Sequence, residues 1–319
     1  MTTRREDQDG RLAVVAGSSG LVGSALVDAL DRRGWRVRRL LRPSSGRAGR
    51  DDATWDPANA LLDVAALDGA DLVVNLAGAG LGDKRWTEAY KGTALLSRTS
   101  STSLLATTLA RALEAGRTAP GVRYLQGSAV GWYGDRGEEV LTEDSPAGRG
   151  FTADLSAAWE AAAAPAVKAG VPTAFLRTGI VLAPRGGALG RMLPLLRAGL
   201  GGPLGGGQQW WPWITLEDHV RAQLHLAGSA RVGPINLAAP GEARQREVLA
   251  ALAHELRRPF GLPVPGLALR AVLGEFAADV LASQRMRPET LVADGFEFAH
   301  PDVASAARWL VGPGGSRTS

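Results

Sequence analysis

The stretch 12-LAVVAGSSGLVGSALVDALDRRG-34 decides the fold. Leu12 to Ala16 is a short apolar run of the length of a buried strand. Gly17, Gly20 and Gly23 follow at three-residue spacing. Val22, Ala25, Leu26, Ala29 and Leu30 then recur with the period of an amphipathic helix, which Gly34 ends. The first glycine permits a tight turn, the second lets backbone N–H groups approach a pyrophosphate, and the third lets the helix pack on the strand. Gly17, Ser18, Ser19, Gly20, Leu21, Val22 and Gly23 therefore form the candidate phosphate cradle, facing the positive end of the helix.

The next strand, 36–41, tests which dinucleotide fits. An NAD site carries an acid near this strand's end to hold the ribose 2′-hydroxyl. Here the chain reads RRLLRPSSGR, with Arg42, Ser44, Ser45 and Arg47 and no acid. Basic and hydroxyl groups suit a 2′-phosphate, so NADP(H) is favoured over NAD(H), with Arg42 as the main contact. A third buried strand, 71–77, runs into NLAGAG, where the small residues Leu76, Ala77 and Gly78 let a flat ring lie against backbone. A long helix over 84–115, a strand over 121–128, a helix over 152–169 and a strand over 172–182 complete the series. Alternating strands and helices predict an α/β fold, a Rossmann-type doubly wound parallel sheet.

Composition narrows the remaining classes. The 319 residues are 45% hydrophobic and 21% charged, with no cysteine, which fits a soluble globular chain without disulfides or thiolate chemistry. The net charge of +4 comes from basic residues interleaved with acids rather than gathered in a stripe, so no nucleic-acid partner is expected. No apolar run is long enough for a membrane span, and the polar start lacks a signal-peptide core, so a cytoplasmic location is expected. The four histidines, His219, His225, His254 and His300, lack ligand spacing and are read as structural or surface residues, with no metal site.

With the glycine loop, NLAG, GSAVGWYGD and LRTGIVLAP in that order, the chain resembles the extended short-chain dehydrogenase/reductases, the NAD-dependent epimerase/dehydratase family. NLAGAGLGDKRWTEAYK, SAVGWYGDRGEEVLTEDSPAG and LPVPGLALRAVLGE make it similar to the subgroup with a small C-terminal domain of unknown function. The resemblance implies a dinucleotide-binding domain over 11–230, including a Gly/Trp-rich loop at 199–214, and a C-terminal domain over 255–305. Residues 1–10 and 312–319 are expected to be flexible tails. It also implies a cofactor contact at Arg177, a small-molecule substrate and a homodimer.

That family moves protons with a Ser, a Tyr and, four residues after the Tyr, a Lys. Ser128 matches the Ser. The only lysines are Lys84, Lys91 and Lys168, preceded at four residues by Gly80, Thr87 and Ala164, so no Tyr-x-x-x-Lys exists. The pair would fall near Thr152 and Ser156. Tyr133 is the substitute acid or, preferably, a substrate contact in a loop over the nicotinamide end. Lys84 reaches either an anionic group or solvent. Trp210, Trp211 and Trp213, joined to GLGGPLGGG, suggest a pocket closing over a ligand, with at least one tryptophan packing the lobe. Alternation in GFEFAHPD, 295–302, suggests a short strand. Two functions stay open: an atypical NADP(H) oxidoreductase on a small carbonyl or hydroxyl substrate, or a non-enzymatic NADP(H) sensor or regulator linked to cell division.

Overall fold

The computed structural model describes residues 10–45, 49, 51–190 and 192–312. The tails and Arg47 lie outside the described residues, apart from Gly10 and Gly312. In chain order the elements are β1 (Leu12–Ala16), α1 (Leu21–Asp31), β2 (Arg36–Leu41), β3 (Ala53–Asp56), β4 (Leu61–Leu62), β5 (Ala70–Asn75), α2 (Glu88–Glu114) and β6 (Arg123–Ala129). Next come β7 (Val140–Leu141), α3 (Phe151–Ala161), α4 (Ala164–Lys168), β8 (Thr173–Thr178), β9 (Ile180–Leu182), α5 (Met192–Arg197), β10 (Trp213–Thr215), α6 (Leu216–Ala227) and β11 (Gly233–Leu237). The chain closes with α7 (Gln245–Glu255), α8 (Gly266–Leu273), α9 (Phe276–Val280), β12 (Arg285–Met286), α10 (Glu289–Ala293) and α11 (Val303–Val311).

The main sheet runs in the order β11-β8-β6-β5-β1-β2-β3-β4, parallel except for the β3–β4 pair. The chain winds outward from β1 to β4, then restarts at β5 on the other side of β1. That reversal opens a crevice beyond the carboxyl ends of β1 and β5, where ligands of such sheets bind. Strand alternation feeds two cores. Ala13, Val15, Leu72, Val74 and Leu176 pack under α1, α6, α7 and α11. Leu12, Val14, Val73 and Tyr124 pack under α2 and α4. All five residues of β1 are buried, because both faces of the sheet are covered.

Several boundaries differ from the sequence reading, each for a local reason. α2 starts at Glu88 rather than 84 because Thr87 caps it, its hydroxyl accepting from the Tyr90 N–H at 3.2 Å. The helix expected over 152–169 is two helices, since Pro165 in the first turn of α4 has no N–H to continue the ladder of α3. The strand expected over 172–182 changes partners at Gly179: β8 stays in the main sheet, and β9 pairs instead with β10. β11 is an edge strand of the main sheet, so the large domain's sheet extends past 230 to Leu237. Residues 295–302 form no strand. Phe296 and Phe298 meet edge to face at 4.8 Å, and the Asp218 carboxylate accepts from the Ala299 and His300 N–H groups, each at 2.8 Å. Their alternation reflects packing of an irregular segment onto α6. Among the described residues no helix is long and apolar enough to cross a membrane.

Candidate functional site

The glycine loop bends where β1 ends. Gly17 has φ +79°, and a Cβ there would stand 2.6 Å from the Leu76 carbonyl carbon, so only glycine fits the turn and its contact with the NLAG loop. A Cβ on Gly23 would stand 2.1 Å from the Gly17 carbonyl oxygen, which is how closely α1 approaches the loop. Gly20 caps α1 in an extended conformation without a side-chain bond to the first-turn N–H groups. No acidic residue occupies that first turn. An anion could therefore take those donors. The opposite wall is set by Asn75, wholly buried at the end of β5. Its Nδ2 donates to Thr102 Oγ1 at 3.0 Å and Gln126 Oε1 at 3.1 Å, and its Oδ1 accepts from the Ala77 N–H at 3.2 Å. Arg42 is exposed just past β2. The other basic side chain at that strand end, Arg39, is spent on Asp52.

Arg98 lies behind the NLAG loop with only 9% of its surface exposed. Its Nη1 donates to Ala79 O at 2.9 Å and Ala94 O at 3.1 Å, while Nε is buried without a partner. Its guanidinium sits 4.9 Å from the Trp159 ring centroid. Burial lowers its pKa to about 10. Ala94, Arg98, Ser101, Thr102 and Leu105 share the buried stripe of α2, and one of them is an arginine.

Ser128, Tyr133 and Arg177 need correction. None offers a free group to the crevice. Ser128 is 3% exposed, and its hydroxyl donates to Glu160 Oε1 at 2.6 Å. Glu160 also holds Arg177, accepting from Nε at 2.9 Å and from Nη2 at 3.1 Å. Arg177, 3% exposed, is thus an internal cation rather than a cofactor contact. Its guanidinium packs 3.9 Å from the Trp132 ring centroid. Tyr133 is fully buried. Its hydroxyl donates to Asn236 Oδ1 at 2.7 Å and accepts from Arg177 Nη1 at 3.1 Å. Burial pushes its pKa up, so the hydroxyl is an internal, engaged phenol rather than the exposed acid expected. Glu143 is also buried, its Oε1 accepting from the Asn236 and Thr290 N–H groups and its Oε2 without a partner.

At the place where the resemblance puts Tyr and Lys, α3 lies flush against the turn after β6. A Cβ on Gly131 would stand 2.8 Å from the Thr152 Cβ and 3.4 Å from Ser156 Oγ. Ser156 donates its hydroxyl back to Thr152 O at 2.7 Å. The C-terminal lobe reaches this spot. Phe276 packs on Trp86 at 5.2 Å, Glu275 takes Lys91 at 2.9 Å, and Asp279 lies beside the Thr152 side chain. Burial raises the Asp279 pKa from its ordinary value. Glu160, Arg98 and Asp279 were not read as site residues from the sequence; the last two need the fold to bring their elements to the crevice.

The tryptophans divide. Trp211 and Trp213 are core residues, 6% and 1% exposed, and Trp213 Nε1 donates to Gly241 O at 3.1 Å. Only Trp210 is half-buried. Its Nε1 donates to Glu138 Oε2 at 2.7 Å, and Arg244 and Arg285 stack over the ring at 4.5 and 4.6 Å. The adjoining glycines are not a loose hinge. The 201–205 backbone zips against 261–264, through Gly261 N–H to Gly201 O at 2.7 Å, Val264 N–H to Pro203 O at 2.8 Å and Gly205 N–H to Val264 O at 2.9 Å. A Cβ on Gly202 would stand 2.1 Å from Leu262 O, so its smallness serves a close backbone approach. Lys84 is exposed in the turn before α2, its ammonium 5.9 Å from the Tyr90 ring centroid. A cleft of about 440 Å³ lies elsewhere, between the outer ends of α1 and α6, lined by Arg32, Arg33, Val220 and Leu224. Among the described residues no three His, Cys, Asp or Glu side chains gather in a metal-binding group.

Comparison with known proteins agrees with this geometry. The profile of the NAD dependent epimerase/dehydratase family matches residues 13–238, and that of a domain of unknown function, DUF1731, matches 264–310. An epimerase family protein of Mycobacterium bovis is 40% identical over 298 residues, 92% of this chain and 96% of that protein. The crystal structure of the human epimerase family protein SDR39U1 with NADPH superposes with a TM-score of 0.83 at 30% identity, over 94% of this chain and 99% of that one. A nucleoside-diphosphate sugar epimerase from Corynebacterium glutamicum gives 0.73 at 33% identity, over 95% of this chain and 59% of that one.

Proposed function

This chain belongs to the NAD dependent epimerase/dehydratase family, and on that premise we propose that it binds NADP(H) and is an oxidoreductase for a small carbonyl or hydroxyl substrate. The observation that carries the reading is the uncapped N-terminus of α1 behind Gly17, pressed against the NLAG loop at the sheet's switch point. The human relative's structure holds NADPH, which supports the choice of dinucleotide. The Gly17–Gly23 loop would hold the diphosphate, and Arg42 with Ser44 would meet the 2′-phosphate. When bound, the cofactor supplies hydride chemistry.

This chain's own residues orient and shield. With Ser128 and Tyr133 spent inside the protein, Asp279 beside Thr152, its pKa raised by burial, would serve as the acid–base group. Trp86, Phe151 and Phe276 form an apolar cluster beside it that would exclude water. The second reading, an NADP(H) sensor without turnover, draws on the small Thr152 and Ser156, which cannot act as the family's pair.

Calorimetric titration with NADPH and NADH, repeated on Arg42→Ala, tests the cofactor half. NADPH should bind more tightly, and the variant should lose about tenfold for NADPH while leaving NADH unchanged. A screen of small carbonyl compounds, followed by NADPH absorbance, tests the redox half. Turnover that Asp279→Asn abolishes supports the enzyme. NADPH binding with no turnover on any compound favours the sensor.

A further inference from the structure

Arg98 is a buried cation without a counterion. Among the described residues no carboxylate pairs with it; its partners are two carbonyl oxygens and the face of Trp159. A charge removed from water this far is costly unless an anion meets it. One side of the guanidinium is closed by Trp159 and the α2 backbone. The NLAG loop packs on it as well: Ala79 O accepts from Nη1, and a Cβ on Gly78 would stand 3.1 Å from the Arg98 Cζ. Gly78 follows Leu76 and Ala77, whose backbone touches Gly17 of the phosphate loop. The guanidinium therefore stands one backbone strand behind the place where the two loops meet. The buried Nε is a donor without an acceptor.

We propose that Arg98 is the counter-cation of the crevice, its charge answered across the NLAG backbone by the diphosphate of the bound dinucleotide. The family's Lys, which would bring a positive charge from α3, is absent, and Ser156 stands at its place. Arg98 brings that charge from α2 instead. The inference rests on the NADP(H) reading above, deepens it by naming a cation that the glycine loop does not contain, and assigns Arg98 to cofactor binding rather than to catalysis.

The test measures binding and melting, not activity. Wild type, Arg98→Met and Gly78→Ala are titrated with NADPH, with ADP-ribose, which has the diphosphate but no nicotinamide, and with adenosine 2′-phosphate, which has no diphosphate. Arg98→Met should weaken NADPH and ADP-ribose alike by about 10- to 100-fold, the loss of a nearby buried positive charge, and leave adenosine 2′-phosphate unchanged. The rise in melting temperature that NADPH produces should shrink in proportion. Gly78→Ala keeps the charge but makes the guanidinium give way by a few tenths of an ångström, so it should show the same ligand pattern more weakly, and it carries the test if Arg98→Met does not fold. Variants that melt lower without ligand yet keep full NADPH affinity would make Arg98 a prop for the loop and overturn the proposal. So would weakened NADPH with unchanged ADP-ribose, which would put the anion elsewhere. Wild type that binds neither dinucleotide would sink the cofactor reading itself, and this inference with it.

Discussion

Replacing Glu160 with Ala should destabilise the protein strongly without touching the cofactor crevice. The carboxylate accepts three hydrogen bonds: Ser128 Oγ at 2.6 Å, Arg177 Nε at 2.9 Å and Arg177 Nη2 at 3.1 Å. The two charged side chains are only 4% and 10% exposed, so solvent cannot replace the lost partner. Arg177 would remain between Trp132 and the Tyr133 hydroxyl as an uncompensated charge. Breaking a buried pair in this way costs about 3–5 kcal/mol. The double variant Glu160→Leu/Arg177→Met should recover most of that loss, because an apolar pair of similar volume carries no desolvation penalty. Urea unfolding at neutral pH, followed by circular dichroism, gives the free energies of both variants and of Arg177→Met alone. NADPH affinity of the folded double variant should match wild type. A Glu160→Ala loss below about 1 kcal/mol, the range of an exposed pair, would refute the claim that this ion pair is a buried structural element. Loss of NADPH binding in the folded double variant would return Arg177 to the cofactor site.

Further expectations can be checked with the same protein. Gly23→Ala places a Cβ 2.1 Å from the Gly17 carbonyl oxygen, so it should push the phosphate loop away from α1 and abolish NADPH binding in calorimetry; retained binding would show that the loop gives way cheaply. His219 is held neutral between Thr178 Oγ1 and Gln223 Nε2, each at 3.0 Å, and burial lowers its pKa to about 4. The unfolded chain takes up the proton near pH 6.5, so stability should fall as pH drops from there to about 4, by about 3 kcal/mol from this group. Urea titrations at pH 7 and 4.5 should show a smaller drop in His219→Gln than in wild type, and an equal drop would contradict the assignment. Trp210→Ala removes the ring stacked on by Arg244 and Arg285, and should loosen the 283–287 segment; unchanged hydrogen exchange there would argue against the clamp.

Much of the fold was legible in the letters because it is written in local terms. A five-residue apolar run, three glycines at fixed spacing and a helical stripe report a strand, a turn and a helix, and nothing distant is needed to read them. The absence of Tyr-x-x-x-Lys is equally a property of the sequence. The missed boundaries were local too, but weaker: Thr87 as a cap and Pro165 as a break each compete with an apolar pattern that runs through them.

What the tertiary structure alone decided is which polar side chains are available. Ser128, Tyr133 and Arg177 stand at positions that look functional, yet each is engaged by a partner far away in the chain, Glu160 or Asn236. Conversely, Arg98 lies in a segment that reads as plain helix and Asp279 in a C-terminal segment that shows no site motif, and the fold brings one beneath the NLAG loop and the other to Thr152. Spacing fixes the faces of an element, whereas the partner of a buried charge depends on contacts between residues tens to hundreds of positions apart. Sequence therefore determined the dinucleotide-type scaffold, and only three-dimensional packing determined which of its polar groups remain free to meet a ligand.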